Sequence, residues 1–392
     1  MAGSKAQRFS KSREVILSLK NKFKCMDKFS HFWGLCFLIV PFCFNNRFDF
    51  STFHLMLFFT AAVISMLAFG SCRTFKKLDL ICISVFLICS TWNIFIPVIS
   101  AGNSSSEILG KKYLLADNYG HILLQFLAIS FVPLIINHFS SHAFGQGRRI
   151  VSKYLGVACI IHSLFMIGEY WGVNYYDIMA VPSKTSAYAG VLANSGYSGL
   201  YIAITLPFVL FNWWYLSIVP VIAVTLLTVF QTSITPILAI CTSLLLMALN
   251  KSKVFLLLPI AVAIPLWETI KSNFLKDPRI DKWKLAWVHF DKYFLGQGMS
   301  WIQSKFYFLK STGAPFNKLH NDLYELLIVF GIVGVVCVLI FMRDVFKMRY
   351  SEYSLALYSV LFSSLFWFVF RLPSISVLSL YFIAISKKEK NI

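Results

Sequence analysis

Residues 318–335 read K-L-H-N-D-L-Y-E-L-L-I-V-F-G-I-V-G-V. A long polar stretch ends here and an apolar one begins. His320 and Asn321 occupy the boundary, and Gly331 and Gly334 lie inside the apolar segment. An apolar run of this length predicts a membrane helix. A histidine at the mouth of such a helix is placed for proton transfer on a substrate whose head is wet and whose tail is in lipid.

The rest of the chain has the same character. Apolar residues make up 58% of it, charged residues only 14%, and phenylalanine alone contributes 39 of the 392 residues. That is membrane composition. Candidate spans fall near 31–44, 52–70, 78–100, 119–139, 154–172, 195–211, 213–230, 233–249, 254–267, 319–342, 353–370 and 374–386. The first, ninth and last are short for the roughly 20 residues a spanning helix needs.

Lysine and arginine are retained on the cytoplasmic side of short loops. With the N-terminus inside, the inner segments hold 22 of the 36 basic residues, from Lys5 through Lys390. Short outer loops keep only Arg47, Lys111, Lys112, Lys184 and Arg371, and the remaining nine basic residues lie in 268–318. Long segments translocate largely regardless of charge. The predicted fold is therefore an all-α polytopic membrane protein of about twelve spans with both termini cytoplasmic. It divides into a basic tail (1–30), spans one to nine (31–267), a long outer loop (268–318), and spans ten to twelve with a short basic tail (319–392). The formal charge of +19 is mostly this bias, so it does not indicate nucleic-acid binding. Within the first tail Ile16, Leu19, Phe23 and Met26 recur at helical spacing among lysines, a pattern suited to anionic lipid. The first apolar segment runs into Asn45-Asn46-Arg47 rather than a small-residue cleavage site, so no cleavable signal is expected. The scattered cysteines form no C-x-x-C pair and read as packing residues.

Charges inside spans usually mark function. Here Glu169 and Glu325 are the clear cases, fewer than an ion-coupled transporter is expected to carry. Charge, aromatics and glycine concentrate together only in the outer loop. Ile280, Trp283, Trp287, Phe290 and Phe294 recur as one stripe of a helix, with Arg279, Lys282 and His289 along its flank. The reading is an amphipathic helix in the interfacial plane. Its basic flank either contacts phospholipid headgroups or binds an anionic lipid-linked substrate. Gly296-Gln297-Gly298 follows. It marks a turn, where backbone amides freed of side chains can approach a phosphate. Asp277, Asp281, Asp291 and Asp322 match no metal-ligand spacing, and no nucleotide-binding fingerprint is present. No metal or other cofactor is expected.

His320-Asn321, nine residues, then Gly331-x-x-Gly334 resembles the H-N-x9-G-x-x-G pattern of the O-antigen ligase and O-antigen polymerase superfamily of bacterial membrane glycosyltransferases. Arg279-x3-Trp283 followed by Gly296-x-Gly298 resembles the outer loop of the same family. Leu192-Ala-Asn194 through Leu206-Pro207 is similar to a stretch the family carries about a hundred residues earlier. The resemblance implies glycan transfer at the periplasmic face of the bacterial inner membrane. The implied donor is a glycan on undecaprenyl pyrophosphate. The acceptor is a sugar hydroxyl, on the lipid A core for a ligase or on another lipid-linked glycan for a polymerase. Neither nucleotide nor metal takes part.

The residues agree with that chemistry. Arg279 offers a planar fork to phosphate oxygens, with Lys282 as a second cation. His320 takes the proton from the acceptor hydroxyl. Asn321 or Asp322 holds the imidazole or positions the acceptor. Substrate contacts are also assigned to His289, Gly296, Gly298 and Lys184. Family members often carry a basic residue where this chain reads Gln231-Thr-Ser-Ile-Thr-Pro236, so polymerase stays open beside ligase. A transporter or flippase of lipid-linked oligosaccharide is the alternative from another class.

Overall fold

The computed structural model describes residues 26–43, 50–70, 81, 84–85, 132–142, 146–173, 175, 190, 192, 194–231, 234–250, 271, 283–284, 286–288, 290, 293–297, 321–365 and 372–389. Every regular element among them is helical. In chain order these are α1 (26–39), α2 (Phe50–Phe69), α3 (132–142), α4 (Gln146–Tyr170), α5 (Ser195–Asn212), α6 (Ile218–Gln231), α7 (Ile234–Asn250), α8 (Asp322–Met342), α9 (Glu352–Ser363) and α10 (Pro373–Glu389). Each coincides with an apolar segment of the sequence. The spans expected at 78–100 and 254–267 lie outside the described residues, apart from 81, 84 and 85.

The bundle is organised around α5. Asn194 starts this helix, its side-chain oxygen accepting the N–H groups of Gly196 (2.9 Å) and Tyr197 (3.3 Å). That satisfies donors a helix start otherwise leaves open. From Ser195 to Leu210 nearly every residue is buried. A helix that is apolar on all sides belongs at the centre of a bundle, and α5 packs against α4, α6, α7 and α9. Phe208 on α5 meets Tyr353 of α9 edge-on (5.1 Å) and lies 5.7 Å from Phe382 of α10. α9 begins at Ser351 with a reciprocal cap shared with Ser354 and also packs on α7 and α10.

Two helical stretches, Gln146–Tyr170 and Asp322–Lys347, are long and apolar enough to cross a membrane. The first carries Arg148, Arg149 and Lys153 in its opening turns, while exposed Tyr170 and Trp171 stand at its far end. Basic residues at one end and amphipathic aromatics at the other suit a helix held across a bilayer. Leu67, Leu164, Leu249 and Leu339 are exposed outward from their helices, as lipid-facing side chains are.

Phe208→Ala opens a cavity where α5, α9 and α10 meet. It is expected to cost about 3–5 kcal/mol. Thermal unfolding in detergent checks this, and a transition unmoved by the substitution would contradict the central position of α5.

Candidate functional site

The site is built from the first turn of α8 upward. Asn321 has extended backbone, and its side-chain oxygen accepts the N–H of Tyr324 at 2.9 Å while its carbonyl accepts that of Glu325. It is an N-cap. The next N–H, of Asp322, donates to Ser364 O just beyond α9 at 2.8 Å. The helix mouth is thereby pinned to the bundle as well as capped. Asp322 and Glu325 place negative charge at the positive end of the helix, with Glu325 buried one turn inside.

The outer-loop residues lie against this first turn. Tyr324 donates its hydroxyl to Trp283 O at 2.8 Å, and its ring lies nearly parallel to that of Trp287 (centroids 6.3 Å apart, 25° between planes). Ala286 and Phe290 are buried with Ile328, Val329 and Phe330 of α8. Residues 283–284 and 286–288 are helical, as the aromatic stripe predicts. The stripe does not run on as one helical face, however. Phe290 donates its N–H back to Trp287 O in a turn and is buried, whereas Phe294 sits in a second turn with 68% of its surface exposed. The reason is a competing backbone contact.

α8 is broken at Gly331 (φ 66°, ψ −172°), a conformation reserved almost entirely for glycine. The break frees backbone groups, and residues 293–297 take them up. Ile332 N–H donates to Tyr293 O (2.9 Å), Val333 N–H to Phe294 O (3.2 Å), and Gln297 N–H to Ile328 O (2.7 Å). Gly296 also has positive φ (79°). The two glycines face each other. A Cβ on Gly296 would lie 2.5 Å from Gly331 N and closer still to Val329 O, and one on Gly331 would lie 2.5 Å from Gly296 N. The open side of Gly296 is thus occupied by the backbone of α8.

Of the residues singled out from sequence, Asn321, Asp322 and Gly296 are placed by the structure. All three lie on α8 or against it. His320, Arg279, Lys282, His289, Gly298 and Lys184 lie outside the described residues. Two features were not anticipated. One is Tyr324 as the tie between loop and helix. The other is Gly331 as the seat for Gly296. Two separated glycine motifs, each bordering an aromatic-rich segment, were the available signal. Histidines elsewhere have structural roles: buried His54 bonds Ser374 Oγ (3.1 Å) and Cys43 O (2.9 Å). Among the described residues no group of His, Cys, Asp and Glu is arranged to hold a metal ion.

Residues 185–339 match the family model described as O-Antigen ligase. The matched stretch runs from just before the Asn194 cap to the last turn of α8, and it includes both glycines of the broken-helix contact. No curated protein and no solved structure matches the chain.

Asn321→Ala is expected to lower stability by about 1 kcal/mol through loss of the cap, and Asn321→Asp to keep the cap. Unfolding of both variants in detergent checks this. Equal losses would show that the side-chain oxygen is not what starts α8.

Proposed function

We propose, from the match of residues 185–339 to the family model described as O-Antigen ligase, that the chain is an O-antigen ligase-like membrane glycosyltransferase. In this reading it moves a glycan from undecaprenyl pyrophosphate to a sugar hydroxyl of the lipid A core at the periplasmic face of the inner membrane. The observation that carries the reading is the bond between Tyr324 and Trp283 O. It ties the segment following Arg279 and Lys282 to the turn following His320.

The chemistry divides among these residues. Arg279 and Lys282 neutralise the pyrophosphate as it departs, which acts on the transition state rather than the ground state. His320 takes the proton of the acceptor hydroxyl. The acceptor oxygen bonds to the anomeric carbon, the bond from that carbon to the pyrophosphate oxygen breaks, and the configuration inverts. Undecaprenyl pyrophosphate leaves, and His320 returns its proton to water. His289, Gly298 and Lys184 are assigned contacts with the donor head, and Gly296 contributes by seating the turn.

The cap supports a division of the two roles open to Asn321 and Asp322. With one lone pair of its oxygen taken by the N–H of Tyr324, Asn321 keeps both N–H donors for other partners. A donor on the unprotonated imidazole nitrogen would occupy the lone pair a base needs, so Asn321 suits a substrate oxygen. A carboxylate can accept the other ring N–H and fix the tautomer. Asp322 is the residue for that.

The missing cation in 231–236 favours a second reading, repeat-unit polymerase, because an acceptor held there would lack a charge partner. Deletion distinguishes the two. Loss of all long-chain lipopolysaccharide while lipid-linked polymer still forms identifies a ligase. A single attached repeat without extension identifies a polymerase.

At normal membrane levels His320→Ala is expected to abolish product, and Arg279→Ala to lower it to a small residual rate, both with accumulation of lipid-linked donor. Unchanged banding and chain length on lipopolysaccharide gels would overturn the site. A transporter would still deliver substrate outward without His320. Because a general base acts only when unprotonated, the transfer rate should fall on acidification, and a rate indifferent to acid would remove His320 from the role.

A further inference from the structure

We propose that Gly296 and Gly331 are positioning residues for transfer. Their backbone contact forms a lock that seats the outer-loop turn at residues 293–297 deep beside α8 and thereby aligns the two segments that carry the proposed site. The inference rests on the reading above and adds to it how the two halves of the site are held in register.

The depth comes from helix geometry. Gly331 lies ten residues below Asn321, and at 1.5 Å per residue that is roughly 15 Å, about half of a 30 Å hydrocarbon core. Residues 293–297 bond to α8 at Ile328, Ile332 and Val333, so the turn reaches that depth too. Non-helical backbone is tolerated there only when protein meets its polar groups. Here the exchange is reciprocal. The carbonyls of Tyr293 and Phe294 cap the lower half of α8, and the carbonyl of Ile328 in the upper half accepts the N–H of Gln297. Water cannot substitute at this depth, so an opened lock leaves donors and acceptors unmet on both partners.

The same segment is held at its upper end. Trp283 O accepts from Tyr324 and Phe290 is buried beside Ile328. The loop is therefore fixed at two heights on one helix, near the mouth and at the break. Arg279 is four residues from the upper attachment in the chain, and His320 is four residues from Tyr324. Closing the lock sets the separation of cation and base. That separation matters only when both act, in the transition state.

Neither glycine tolerates a methyl group, since each Cβ would enter backbone rather than a flexible side chain. Gly331→Ala and Gly296→Ala are expected to lower transfer from undecaprenyl-pyrophosphate-linked glycan to lipid A core in proteoliposomes by about tenfold or more, as small misplacements do. In an Arg279→Ala background the Gly331→Ala change should add less than about twofold, because the pair it aligns is already broken. A loss of the same factor in both backgrounds would mean that the glycine affects folding alone and would overturn the proposal. A second readout needs no transfer. Gln297 is buried, so Gln297→Cys, in a chain whose other cysteines are serine, should resist a membrane-impermeant maleimide and become labelled once Gly331 is Ala. Equal labelling in both would refute a seated turn, whatever the reaction proves to be. If neither glycine variant reaches the membrane, Tyr324→Phe decides. It keeps the ring, removes the bond to Trp283 O, and should slow transfer severalfold in the Arg279 background less than in the wild-type one; equal slowing in the two would again overturn the proposal. Absence of any effect of Arg279→Ala would instead defeat the reading of function, leaving the lock to the labelling experiment.

Discussion

A backbone N–H or C=O in hydrocarbon has no water to fall back on, so a helix interrupted there must be completed by another segment. α8 is such a helix. Its interruption at Gly331 explains features that look unrelated in the sequence: a glycine with positive φ in the outer loop, a turn at Tyr293–Gln297, and a phenylalanine buried just ahead of it. Each follows from the need to meet the groups that the break exposes. Residues 293–297 are consequently joined to α8 by backbone bonds rather than lying over it as a cover.

The bundle in turn holds the helix mouth. α5 is buried on almost all sides and packs on α9. Ser364, at the end of α9, accepts the N–H of Asp322. A path of packed and hydrogen-bonded groups thus runs from the most buried helix to the residue after Asn321. The Asn194 cap starts α5 as the Asn321 cap starts α8. Both asparagines belong to stretches singled out for family resemblance, and both have a structural duty that any chemical duty must accommodate.

Hydropathy made the helices legible, because a segment such as 195–212 offers no polar face; the caps at Asn194 and Asn321 that fix where two of them begin come from the structure. The outer loop was legible only in part. The spacing of Trp283, Trp287, Phe290 and Phe294 fits a helical stripe, but the same spacing survives when the chain turns after Val288. Side-chain periodicity carries no information about backbone groups recruited from 39 residues away, the separation of Tyr293 from Ile332 just past the Gly331 break. The glycines were the clue to that contact. Read separately, Gly296 meant a turn or a phosphate approach and Gly331 a motif position in an apolar run; read as a pair, they mean close passage of two backbones. His320 and Arg279 rest on sequence and on the residues that flank them.

Those flanking residues constrain the chemistry more than the motif does. A histidine one residue ahead of an N-cap precedes a helix whose first N–H groups are already committed, to Ser364 O and to Asn321 itself. The helix end therefore does not offer these amides to an anion, although its dipole still favours negative charge nearby. In the proposed transfer a departing pyrophosphate is then neutralised by side chains. Cations concentrate in the sequence of the outer loop, and the Tyr324 bond and the Gly331 break bring Trp283 and residues 293–297 of that loop to the helix. The proposed division of labour follows from that: the mouth of α8 supplies the base and its orientation, the loop supplies the charge, and the backbone contact between them supplies the register.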